Sequence, residues 1–142
     1  MTFLLDTNVV SELRKGARAD DAVRAWIAEV DDQELFISVL VIGEIRKGIE
    51  RVRRRDAAAA NMLDTWLSGI STSYSSRILP VTAAIAEAWG RFNVPDPLPV
   101  IDALIAATAH VHHMAVVTRN VSDLSRTGVP VINPFEDGPP RA

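Results

Sequence analysis

The chain contains no cysteine. That excludes a disulfide framework, a cysteine nucleophile and any thiolate zinc site, though it fixes no compartment. Apolar runs of membrane-spanning length are also absent: the longest, roughly Leu35 to Ile42, is interrupted by Ser38. No basic segment precedes the first apolar stretch, which Asp6 cuts short, so neither a secretory signal nor a membrane role is expected and the cytoplasm is the expected location. Lysine is scarce, Lys15 and Lys47 alone. Positive charge is not in excess; the net charge is −3, which does not mark a general nucleic-acid binder. No internal repeat and no long low-complexity segment is present.

What is there is ordinary in bulk and informative in detail. The 142 residues are 48% hydrophobic and 23% charged, the composition of a globular domain. We expect one domain over residues 1–135 and a flexible tail over 136–142. Six of the fifteen basic residues fall between Arg46 and Arg55.

Short apolar runs without strict alternation read as strands buried on both faces: Phe3-Leu5, Leu35-Ile37, Ile78-Leu79, Ala115-Val117 and Val129-Ile132, the last holding Pro130. Helical stripes separate them: Val23/Trp26/Ile27/Val30, Ile42/Ile45/Ile49/Val52, Met62/Leu63/Trp66/Ile70, Ile85/Ala88/Trp89/Phe92 and Ile101/Leu104/Ile105/Thr108/Val111. The alternation predicts an α/β fold in three layers, a mostly parallel central sheet of about five strands flanked by helices, with a helical hairpin inserted near residues 40–75.

In such sheets ligands bind beyond the carboxyl ends of the strands. Asp6-Thr7-Asn8 follows the first strand and Thr118-Arg119-Asn120 the fourth, with Asp123 just after. Glu44 borders the Ile42/Ile45 stripe, and Asp102 is the one acid between Pro99 and His112. Each also has a plain structural reading. Asp6 fits a helix cap, as does Asn8; Asp102 fits a first-turn acid; Glu44 fits an ion pair with Lys47 or Arg51; Asp123 fits a turn. Acids gathered at one strand edge repel and raise each other's pKa, a strain that a hard divalent cation relieves. Such a site suits phosphodiester hydrolysis by metal-activated water.

These segments resemble a known family. LLDTNVVSEL (Leu4 to Leu13), SVLVIGEIRKG (Ser38 to Gly48), DALIAATA (Asp102 to Ala109), VVTRNVSDL (Val116 to Leu124) and VINPF (Val131 to Phe135) are similar, in order and spacing, to the motifs of PIN-domain ribonucleases of the VapC type, toxins of bacterial toxin–antitoxin pairs. The resemblance implies a Mg²⁺- or Mn²⁺-dependent endoribonuclease. Asp6 and Asp102 would hold the metal directly. Glu44 would be a ligand or hold metal-bound water, and Asp123 would complete the set. Thr7, Asn8, Thr118 and a further donor, Ser11, would orient the carboxylates. Arg119 or Asn120 would contact the scissile phosphate. Leu124 stands where phenylalanine is common, a matter of packing, and Asp96 has no assigned role. The implied partners are an RNA substrate, a cognate antitoxin in an apolar groove that Trp26 and Trp66 would line, a second copy in a homodimer, and operator DNA only through the antitoxin.

The basic run, above all Lys47 and Arg51, suits either RNA phosphate or a solvated helix end. His110, His112 and His113 suit a helix C-terminus better than a metal. Three other functions fit the residues less well. A receiver-like phospho-switch needs a lysine after the last strand, where Asn133-Pro134 stands. A module that serves only to hold a repressing partner would not need the full acidic set. A haloacid-dehalogenase-type phosphatase fails because Asn8 stands where its second aspartate belongs.

Overall fold

A computed structural model describes residues 1–136. The expected tail lies outside the described residues, apart from Glu136. Five strands, β1 (Phe3–Leu5), β2 (Leu35–Ser38), β3 (Ile78–Leu79), β4 (Ala115–Val117) and β5 (Val131–Ile132), form one sheet in the order β3-β2-β1-β4-β5. Every neighbouring pair is parallel, with Phe3 opposite both Leu35 and Ala115. The strands match the apolar runs. The last is shorter than expected, because Pro130 has no N–H to give the ladder and only its carbonyl accepts, from Val116.

Seven α-helices accompany the sheet among the described residues: α1 (Thr7–Leu13), α2 (Asp21–Ala28), α3 (Val39–Arg53), α4 (Ala57–Ser73), α5 (Ala83–Phe92), α6 (Val100–His112) and α7 (Val121–Ser125). Their starts are set locally. Asp20, Ser38, Asp56 and Thr82 each accept a backbone N–H of the first turn of α2, α3, α4 and α5. α6 ends where His113 takes the left-handed conformation (φ 56°), with Met114 N–H on the Ala109 carbonyl and His113 N–H on that of His110. The His110 ring also packs edge-to-face on Phe92. These contacts give two of the three histidines structural work.

Leu4, Leu5, Ile37, Val116 and Val117 are fully buried between helical layers. α6 can lie close to the sheet because its inner face is Ile105, Ala106 and Ala109, while Ala107 meets Ile85 and Ala88 of α5. The expected helical hairpin is α3 and α4. Met62, expected on its apolar stripe, is instead 75% exposed; Ala60 and Leu67 take the inner positions.

Two buried polar groups brace the frame. The Arg77 guanidinium donates to the carbonyls of Asp32 (2.7 Å), Leu35 (2.6 Å) and Ser73 (3.1 Å) and lies over the Tyr74 ring. Glu12 accepts from the Asp20 N–H (2.8 Å) and Lys15 (3.0 Å), which holds its carboxyl below the usual range.

Candidate active site

The chain runs outward from β1 through β2 to β3, then returns to the other side of β1 for β4 and β5. The crevice beyond the carboxyl ends of β1 and β4 is therefore the point where the winding reverses, the usual ligand position in an open α/β sheet. Asp6 leaves β1 there, and its N–H still donates to the Val117 carbonyl of β4 (2.9 Å).

Asp6 is buried, and its two oxygens do different things. Oδ1 accepts the Thr7 N–H (2.8 Å) and caps α1. Oδ2 accepts the Thr118 hydroxyl (2.8 Å) and, more weakly, the Asn8 amide (3.4 Å). Thr118, with no exposed surface, spends its whole capacity: it donates to Asp6 and accepts from Asn8 Nδ2 (3.2 Å) and the Asn120 N–H (3.0 Å). Asn8 therefore does not cap α1; it bridges, its Oδ1 taking the Arg119 N–H (3.1 Å). Asn120 Nδ2 then donates to Asp102 Oδ2 (2.8 Å). One chain of bonds runs Asp6–Thr118–Asn120–Asp102.

Asp102 lies in the first turn of α6, half-buried. Its carboxyl is raised above the usual value by burial first, then by the charges of Asp6, Asp123 and Glu44, against a smaller lowering by the Asn120 bond. All four expected acids thus act on one spot. Among the described residues, no three acidic or histidine side chains converge closely enough to grip one ion between them. The donor set still fits Mg²⁺ or Mn²⁺. Mg²⁺ keeps several waters and binds through one or two carboxylates, and all the donors here are hard oxygens.

Other expected residues fall at the rim. Glu44 projects from α3 with Lys47 Nζ 3.8 Å away, and both border a cleft with Val39, Leu40 and Ile101. On its other side Glu44 borders a groove of about 320 Å³ between α1, α3 and α4, whose walls include Ile45, Ile49, Val52, Leu63 and Trp66. Ser11 and Thr7 line this groove too, and the Thr7 hydroxyl is buried there without a hydrogen-bond partner. Asp123 sits in α7, a helix of five residues, where the plain expectation is a turn.

One expectation changes. Trp26 cannot line a partner groove: it is fully buried, edge-on to Phe3 at 5.2 Å, because α2 packs it into the main core. The Arg119 guanidinium lies over the Phe135 ring (3.7 Å). Asn120 is already engaged by Asp102. Asp96 is exposed, and its backbone carbonyl accepts from Arg126 (3.4 Å). Arg14 was missed. It lies over the Trp66 ring (5.8 Å) on the groove wall, and its spacing from Thr7 and Ser11 along α1 was the available signal.

The fold is that of a known class: residues 3–129 match the PIN domain family, and the chain belongs to it. It is 31% identical over 141 residues to the VapC ribonuclease Y4jK of Sinorhizobium fredii, covering 94% of this chain and 98% of that protein. To toxin FitB of Neisseria gonorrhoeae it is 28% identical over 141 residues, 95% of this chain and 99% of that one. The solved structure of FitAcB from the same organism superposes with a TM-score of 0.85 at 27% identity, covering 94% of this chain and 99% of that chain.

Proposed function

We propose that the protein is a metal-dependent endoribonuclease, the toxin of a toxin–antitoxin pair, restrained by a cognate antitoxin. The observation that carries this reading is Asp102, oriented by Asn120 and facing the charges of Asp6, Glu44 and Asp123 at the β1/β4 edge. The relatives support it: one is named a ribonuclease and another a toxin.

In this reading Asp6 and Asp102 would hold Mg²⁺ or Mn²⁺, with Glu44 and Asp123 completing the anionic wall. The ion would lower the pKa of an attacking water and offset charge on the leaving oxygen of an RNA phosphodiester. The protein's own part is positioning. Thr7 N–H, Asn8 and Thr118 fix the Asp6 carboxylate, and Asn120 fixes Asp102. Among the described residues at the crevice no side chain is placed as a covalent nucleophile, so hydrolysis would use direct in-line attack by water.

The groove beside Glu44 would seat an apolar segment of the antitoxin, with Trp66 as anchor and Arg14 at its wall. Val39 and Val100, exposed apolar residues at the starts of α3 and α6, offer a surface to a second copy in a homodimer. Operator DNA would be reached only through the antitoxin, and the setting would be the cytoplasm. Among the described residues, no helix is long and apolar enough to cross a membrane.

The test is purified, antitoxin-free protein incubated with structured RNAs and Mg²⁺ or Mn²⁺. Cleavage that disappears on chelation and in Asp6→Asn is expected. Cleavage no faster than in Asp6→Asn rejects the reading.

A further inference from the structure

The six cations between Arg46 and Arg55 divide into two groups in the folded chain. Arg46 and Arg53 turn toward α4. Arg46 Nη1 is 2.7 Å from Asp64 and 3.0 Å from Glu50. Arg53 Nη2 is 2.6 Å from Asp64, and its Nε is 3.1 Å from Glu50. Their charge is spent: the Asp64 and Glu50 carboxyls are held below, and both guanidinium groups above, their usual values. These two arginines pin the hairpin and leave little field for a ligand.

Arg51, Arg54 and Arg55 are different. All three are exposed, and among the described residues none has an ion pair or a side-chain hydrogen bond. At 3.6 residues per turn, Lys47, Arg51 and Arg54 fall within about 80° of Glu44 around the α3 axis, whereas Arg46 and Arg53 lie on the opposite side. Arg54 still has helical backbone angles, and the Arg55 N–H bonds the Val52 carbonyl, so the stripe continues through the last turn. It starts at Glu44, on the rim of the acidic crevice, and runs about 16 Å along the helix. Lys47, 3.8 Å from Glu44, joins crevice and stripe. Neighbouring unpaired like charges on one helix face repel. In a chain of net charge −3 their concentration at the exit of one site calls for a polyanion.

We propose that Arg51, Arg54 and Arg55 form a phosphate track that carries the backbone of single-stranded RNA away from the Asp6–Asp102 crevice, and that Arg46 and Arg53 take no part in it. This rests on the nuclease reading above. The track reads no base. It raises affinity for longer RNA irrespective of sequence and leaves the reacting phosphate to the acids.

Binding of a labelled single-stranded RNA oligonucleotide is measured in the Asp102→Asn background, which removes the expected cleavage, across a salt series. Each lost single-strand phosphate contact lowers the slope of log K against log salt by about 0.7. Replacing Arg51, Arg54 and Arg55 by Gln therefore lowers it by about 2, equivalent to a roughly 20-fold smaller loss of affinity between about 50 and 200 mM salt. Arg46→Gln/Arg53→Gln leaves the slope in place while lowering the melting temperature. RNA binding with an unmoved slope in the triple variant overturns the track alone. So does loss of antitoxin binding with RNA binding intact, which would assign the stripe to an acidic partner segment. A parent chain that neither binds nor cuts RNA overturns the track and the nuclease reading together.

Discussion

Asp102→Asn should make the metal-free protein more stable at neutral pH. The structure fixes the sign. Burial and the charges of Asp6, Asp123 and Glu44 raise the Asp102 carboxyl above its ordinary 3.8, so the folded chain binds that proton more tightly than the unfolded chain does. The ionised carboxylate therefore costs stability. The cost is absent below the unfolded pKa, grows as pH rises through the folded one, and is complete at neutral pH. Asparagine keeps the shape and an oxygen for Asn120 to donate to, and it removes the charge. Interactions between partly solvated charges are worth about 0.2–1 kcal/mol each. Losing a favourable charge at the α6 N-terminus takes back part of the gain. A net of about 0.5–1 kcal/mol remains, roughly 2–4 °C in melting temperature for a chain of this size. The assay is thermal unfolding of both proteins from pH 7 down toward pH 4, at low and high salt, with and without Mg²⁺ or Mn²⁺. The gain should shrink as pH falls and as salt rises. Stabilisation by the divalent ion, about 2.7 kcal/mol at a hundredfold excess over Kd, should be present in the parent and largely lost in the variant. A variant less stable than the parent at pH 7 without metal, or a difference that ignores pH, refutes the electrostatic account of the crevice.

Thr118→Val, nearly isosteric, strands Asp6, Asn8 and the Asn120 N–H at once; it should cost about 1–3 kcal/mol in chemical denaturation and abolish cleavage, with Thr118→Ser restoring both. Arg77→Met removes three bonds to backbone carbonyls and should lower stability by about 2–4 kcal/mol by urea titration, leaving the activity of the folded fraction unchanged. The tryptophans should separate cleanly. Trp66→Ala should weaken antitoxin binding at least tenfold by calorimetry with RNA cleavage retained, whereas Trp26→Ala should lose about 3–5 kcal/mol of stability.

Much of the architecture was legible because the strands are pure apolar runs and the longer helices carry unbroken stripes. What stayed hidden has physical reasons. The five residues of α7 make too little helix for a periodic stripe to show. Met62 falls beside the inner row, not on it: Ala60, Leu63, Leu67 and Ile70 step by three, four and three, and Met62 sits about 100° around the helix from Leu63. Arg77 looks like any surface cation because its partners are backbone carbonyls 42 and 45 residues earlier, which no side-chain pattern announces. Trp26 and Trp66 occupy equivalent places on their stripes. Only the packing of α2 over Phe3 separates a core ring from a groove wall.

The crevice was legible for another reason: its plain and functional readings are the same arrangement. Asp6 does cap a helix, as a short acid after a strand should, and the cap is what fixes the carboxylate. With Oδ1 held by the α1 backbone, Oδ2 has one direction left, toward β4, where Thr118 and Asn8 meet it. A free side chain could turn away from Asp102 and relieve the repulsion by rotation. A capped one keeps its charge in the crevice, and the repulsion that raises Asp102 is sustained by the hydrogen bonds that start α1. Removing the cap without removing the charge should therefore lower the Asp102 carboxyl only part of the way, because burial, the larger cause, would still hold it up; the share owed to Asp6 rests on helix geometry as much as on the acid itself.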